Sequence, residues 1–465
     1  MSRRIGLIAV IPIALIGFAL TLHTHPTSIV IGREPARADA GTSGFAGSNS
    51  CSSSGCHGGG KPKAPGSEWN TWIDRDPHAD AYRVLFNETS RRIATNLNAG
   101  VAPGHTVPAH ENQTCLKCHA PRSPTGSTHL QADGVSCESC HGAAQRYQSV
   151  HYLSFWKGLG ASDKESLYGL TQTKSLSVRV GQCASCHIGM AGQEVGHALI
   201  AAGHPRLMFE YASSHHHPRY APHWREKDPS FEVRSWVIGQ VASARASLEL
   251  LAARASRTSP QAWPELAEFN CYSCHLSLSN APGKPSSPSK NLESIPWGEW
   301  SYSLLPVLAE EVPAIEVIAP KVELLEALRN LMNERPGLRS EIAASAGGLV
   351  VELDRWLLAL EHAPGPMPEG PLMVGVIDQL FAEEGKFTDW DSLAQHYLAV
   401  SQLYFARVQS DPASASPMLA DQLKELRAQL YYKEGTNSPR TISTDRQRES
   451  WQRLRLLVSP PASKP

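Results

Sequence analysis

The sequence predicts a mainly α-helical protein in two parts, a loop-rich N-terminal region followed by a helical bundle. Three observations predict this division. All ten cysteines, and every one of the 20 histidines except His362 and His396, precede residue 281. A run of Ala-Pro-Gly-Lys-Pro-Ser-Ser-Pro-Ser-Lys at 281–290 reads as a linker. Beyond it, apolar residues recur at helical spacing and no chemistry-bearing cluster remains.

Taking the chain in order, residues 1–40 read as an export signal or an N-terminal membrane anchor. Ser2, Arg3 and Arg4 precede an apolar run from Ile5 to Leu22, and small residues follow at Ala36, Ala38 and Ala40. The Arg3-Arg4 pair is compatible with twin-arginine export, but the attachment chemistry found below acts on unfolded chains outside the cytoplasm, which favours the general secretory route. Residues 41–280 form the cysteine-rich region. Its clearest amphipathic helix is predicted from Phe231 to Arg257 behind Asp228-Pro229-Ser230. After a linker over 281–300, the 301–465 region should be helical. Val322, Leu324, Leu325, Leu328 and Leu331 form one stripe and 349–360 another. Further helices are expected at 373–384, at 389–409 behind Thr388 and Asp389, and at 418–432. The two histidines there read as surface or core residues. With 43 basic and 44 acidic side chains, nothing argues for nucleic acid as a partner.

The cysteines carry the chemistry. Four segments match Cys-x-x-Cys-His, the attachment signature of heme c: Cys115, Cys118 and His119; Cys137, Cys140 and His141; Cys183, Cys186 and His187; Cys271, Cys274 and His275. Two intervening residues let both sulfurs bond one porphyrin, and the next side chain becomes the axial imidazole of its iron. Cys51, Cys56 and His57 repeat the arrangement with four intervening residues. Five such sets use every cysteine and leave none for a disulfide. A zinc site would need four ligands per metal and gives the repeated histidines no role. The expectation is therefore a multiheme cytochrome c domain with five covalently attached hemes.

Each iron has a second axial position. Candidates are His78, His105, His110, His129, His151, His197, His204, His223 and the run His215 to His217, which before Pro218 reads more naturally as a surface loop. Met190 and Met208 are the thioethers of this region, so histidine on both sides is the default and implies low potentials.

Asp133 to Gly142 (DGVSCESCHG), Thr114 to His119 (TCLKCH) and the spacing to Cys183 resemble the cytochrome c-554 family of multiheme cytochromes associated with ammonia-oxidising metabolism, over roughly 45–225. The resemblance implies four hemes in closely packed pairs and an electron-shuttling role. It also implies that His78, which follows Trp72, is the distal ligand of the heme on His187, and that His151 serves the heme on His57. The iron on His119 would be five-coordinate, and the partner of His141 would be His197 or His204. The chain departs from the family in its longer first spacing, its fifth motif and the region after 290. An electron carrier with redox donor and acceptor proteins, periplasmic or otherwise extracytoplasmic, is thus expected. The alternatives are a redox enzyme acting on nitric oxide, hydroxylamine or nitrite at an open iron, or a complex subunit docked through its helical region.

Overall fold

The computed structural model describes residues 44–459 except 62–63, 99–106, 121–127, 218–219, 221–222, 225, 259–262, 280–294, 313–321, 383, 433–438 and 440–441. The expected signal or anchor, the Pro/Ser-rich linker at 281–290 and His105 lie outside these residues. Among the described residues there is no strand, only two isolated bridges, Met190 to Gln193 and Phe269 to Trp297, and no helix is long and apolar enough to cross a membrane.

The helix Phe231–Ser256 is the axis of the molecule. It carries fully buried residues around its whole circumference, including Trp236, Val237, Ile238, Val241, Ala244, Leu248 and Leu251, the signature of a helix surrounded by protein. Asp228 prepares its start by accepting the Ser230 N–H at 2.8 Å. At Gly239 a Cβ would come within 2.9 Å of the Tyr211 side chain, so close packing there requires glycine.

Leu305–Glu311, Arg339–His362 and Trp390–Ser410 pack directly on this axis, and the other helices beyond residue 300 pack on these or on one another. Val322–Glu334, Arg339–His362, Glu369–Ala382, Trp390–Ser410 and Pro417–Leu430 fall where the periodicity predicts them. Asp389 caps the fourth by accepting the Asp391 N–H at 3.0 Å. Leu305–Glu311 and Thr444–Val458 are additional. The latter is mostly polar, and of its apolar residues Trp451 and Leu454 are fully buried.

A single hydrophobic core runs from Leu176 to Leu454 across the division drawn at 281–300. Polar contacts cross it as well. Arg245 Nε donates to Asp354 at 2.9 Å. Arg234 reaches the carbonyls of Leu360, Ala363 and Gly365 at the end of Arg339–His362, and Arg206 forms a two-pronged pair with Asp391. The two sequence regions are thus interlocked across that line, because the heme-side axis helix supplies one wall of the bundle's core.

His396 is a core histidine. It is fully buried, with Nδ1 donating to the Ser392 carbonyl at 2.7 Å and Nε2 meeting Gln379 Oε1 at 3.2 Å. Burial, reinforced by the Lys386 charge, pushes its pKa down to about 3. The unfolded chain takes up a proton near the ordinary value of about 6.5 while the folded chain does not, so this group's stabilisation is complete above that value and is lost as pH falls toward 3. Acidification from about pH 7 to about pH 4 should cost about 3 kcal/mol through His396 alone. The melting temperature of His396→Gln should fall less steeply over this interval than that of the wild type.

Candidate heme-binding site

The four regular motifs lie on helices. They occupy Gln113–His119, Cys137–His141, the end of Leu176–His187 and the start of Cys271–Ser279. Helical positions three and four apart share a face, so both thiols and the following imidazole project together. The first motif differs: Ser48–Cys51 is a short 3-10 helix and a turn carries the chain on to His57.

Cys51, Cys56, Cys115, Cys118, Cys137, Cys140, Cys183, Cys186, Cys271 and Cys274 are all free thiols. None is spent on a disulfide, which is the state that attachment to heme requires. The Cys186 Sγ accepts the Gln193 side-chain amide at 3.1 Å. The chain turns back after His187 through the Met190 to Gln193 bridge, and this brings the amide over the end of the helix, where it also donates to the Ser185 carbonyl at 3.0 Å. A sulfur bonded to carbon keeps its lone pairs, so Cys186 can accept this bond and still join heme.

Opposite four of the five motif histidines stands a second histidine. Ring centroids are 6.1 Å apart for His57 and His151, 6.0 Å for His187 and His78, 6.5 Å for His119 and His204, and 6.0 Å for His141 and His223. Two imidazoles bonded at about 2 Å to opposite sides of one metal ion put their centroids roughly 6 Å apart. The interplanar angles span 10° to 88°, which such a pair tolerates because each ring turns freely about its own metal bond.

Hydrogen bonds orient several of these rings. His57 Nδ1 lies 3.1 Å from Glu68 and His78 Nδ1 2.8 Å from Asp76. The Nδ1 atoms of His119, His151 and His204 donate to the carbonyls of Ala81, Tyr147 and Pro205. An Nδ1–H committed in this way leaves Nε2 as the metal-binding atom. Burial, aided by the neighbouring histidines, pushes His141 and His187 down to about 4, so both rings are neutral at physiological pH.

His78 and His151 thus face the motif histidines that the resemblance pairs them with. Two expectations change. The His119 ring, expected open, is faced by His204, which the irregular 204–210 segment carries to it. His141 is faced by His223 rather than by His197 or His204. His197 instead begins the short helix His197–Ala201, its backbone N–H donating to Glu265 at 2.8 Å. No spacing rule picks His223 out of a histidine-rich stretch. Its neighbour Trp224 packs on both rings of the pair, under the Arg179 guanidinium at 4.6 Å. Of the other candidates, His110 stacks on Phe86 with Nε2 3.4 Å from Glu111, His216 Nε2 pairs with Glu232 at 2.7 Å, and His215 Nε2 is buried without a hydrogen-bond partner.

The first and third motifs are tied together by Glu138, which lies between Cys137 and Cys140. Its buried carboxylate accepts backbone N–H bonds from Ala46 and Gly47 at 2.8 Å and from Ala144 at 2.7 Å. Charge-assisted bonds of this kind contribute about 1.5–3 kcal/mol each. Cys51 and Cys137 are close enough to hydrogen-bond, which lowers Cys51 to about 6 and pushes Cys137 up.

Three unpartnered polar atoms beside the motifs are suited to the acidic side groups of a porphyrin. Ser139 Oγ, between the thiols of the third motif, Trp224 Nε1 beside His223 and Trp69 Nε1 next to Glu68 are buried donors without a hydrogen-bond partner. Each costs about 1–3 kcal/mol if left so, and the acidic side groups of heme are acceptors for such donors.

A helical chain in which Cys-x-x-Cys-His segments place their histidines opposite other histidines defines the class of c-type cytochromes. Residues 50–142 match the family model described as cytochrome c554 and c-prime. The match spans the first three motifs, and over these residues the chain is similar to heme-binding cytochromes of the c-554 type. No curated protein and no solved structure matches the chain.

Proposed function

We propose that the protein is an exported pentaheme cytochrome c that passes electrons between a donor and an acceptor protein outside the cytoplasm. The observation that carries this reading is the set of four facing histidine pairs, each built on a motif histidine. Heme c, when bound, supplies iron that cycles between ferrous and ferric states. The chain's own residues do the rest. Paired cysteines would anchor each group, and at four sites the two facing imidazoles would hold its iron and favour a low potential. Glu68, Asp76 and the backbone carbonyls named above hold the rings in place.

The sites also form a series. Cys51 adjoins Cys137, and His57 lies within electrostatic reach of His141, Cys140 of Cys183, and His187 of His119. This supports an electron path through the first, third, fourth and second sites in that order. An enzyme acting on a small nitrogen compound needs an unfilled axial position, and His204 opposite His119 favours the carrier over that alternative. The N-terminal apolar run supports export, with or without anchoring.

Denatured heme quantitation combined with intact mass should give five hemes per chain. A count of four, with Cys51 and Cys56 as thiols or a disulfide, would remove the first site from the set.

A further inference from the structure

The fifth attachment site, Cys271 to His275, is unlike the other four: among the described residues no histidine ring packs against His275. We propose that Met208 is the axial ligand opposite His275, giving one histidine/methionine centre beside four histidine/histidine centres. The proposal rests on the five-heme reading above and adds to it the identity and the redox character of the fifth site.

Met208 is placed beside this site by its neighbours in the chain. The segment from His204 to Phe209 threads between attachment sites, with His204 facing His119 and Phe209 stacked on His187 at 5.5 Å. Between them, Arg206 pairs with Asp391, and its charge acts on Cys271. Asn270, next to Cys271 in the chain, donates to Asp389 at 2.7 Å. Asp389 precedes Trp390, whose ring packs edge-on to Tyr432 at 5.0 Å. Tyr432 in turn reaches Met208, its hydroxyl donating to Sδ at 3.4 Å. Tyr432, whose hydroxyl also lies within electrostatic reach of Cys271, thus holds Met208 near this site.

The sulfur is also chemically suited. Met208 is 37 % exposed, which a core methionine is not, yet its sulfur is fixed in direction by the Tyr432 hydroxyl. A thioether sulfur has two lone pairs, so one remains for a metal, and thioether is a good partner for heme iron. Methionine in place of a second histidine raises the potential of the iron. The fifth site would then be the electron sink of the series, joined to the His119 and His187 sites through the 204–209 segment.

The test uses the full-length holoprotein. The oxidised wild type should show the weak long-wavelength charge-transfer band of thioether-bound ferric heme, and about one fifth of the heme should reduce at a distinctly higher potential than the rest. Met208→Ala should abolish the band and turn one heme high-spin. Met208→His should also abolish it, keep all hemes low-spin and move the high-potential component down among the others, which separates a lost ligand from a damaged fold. Absence of the band in the wild type, or its survival in Met208→Ala, would overturn the assignment. So would a high-spin heme produced by His197→Ala and not by Met208→Ala. Heme quantitation on the same samples separates the two levels: four hemes with Cys271 and Cys274 as thiols would remove the fifth site itself.

Discussion

Reduced His204→Ala protein mixed with carbon monoxide should shift about one fifth of its Soret intensity within the mixing time, while the wild type shows no fast change. His204 is the side chain facing His119, held by the bond from its Nδ1 to the Pro205 carbonyl. On the proposed reading, removing it would leave one iron with a single protein ligand and the attachment at Cys115 and Cys118 untouched. The other three facing pairs do not depend on His204, so one heme alone should respond. Fast binding of equal amplitude in wild type and variant would mean that the His119 iron is open, as the family resemblance implies, and would revive the enzyme reading.

Expressed alone, residues 301–465 should fail to fold. Their helices bury Leu353, Trp356 and Leu357 in a core that also contains Trp236, Val237 and Val241 of Phe231–Ser256. Without that helix an apolar wall faces water, and the Arg234 and Arg245 contacts to Arg339–His362 are gone. The fragment should show much weaker helical circular dichroism per residue than the intact chain and should bind a hydrophobic dye. In the intact protein Trp236→Ala should cost about 3–5 kcal/mol, because the vacated volume lies where both halves meet. A fragment that melts cooperatively at its usual helix content would show that the bundle stands without its heme-side wall.

Much of this was legible in the sequence, for physical reasons that differ by element. The attachment motifs were readable because the bond to porphyrin is local: two thiols and an imidazole within five residues. Helices such as Trp390–Ser410 were readable because Asp389 starts it and its stripe repeats. Thr444–Val458 was not, since Trp451 and Leu454 are its fully buried apolar residues and a stripe that sparse carries little periodic signal. The amide over Cys186 was equally hidden, because Gln193 reaches it through a turn and carries no motif of its own. Distal histidines were harder still. His78 and His151 could be paired only through resemblance. His204 and His223 reach their partners from 85 and 82 positions away in the chain, and no local spacing encodes such a pairing. The shared core is not legible there, because the 281–290 linker signals a break in chain composition, and composition says nothing about which faces later meet.

The Glu138 carboxylate has a consequence for the order in which the protein matures. Its bonds to Ala46 and Gly47 join residues 92 and 91 positions apart. The segment that leads into Cys51 therefore cannot reach its final position until the third motif has emerged behind it. Until then the first two cysteines belong to an unclosed stretch of chain, accessible to whatever machinery joins heme to thiols. The same carboxylate that fastens the finished site thus delays its closure, and the first attachment segment is locked in place only after the chain that carries the second and third has been delivered.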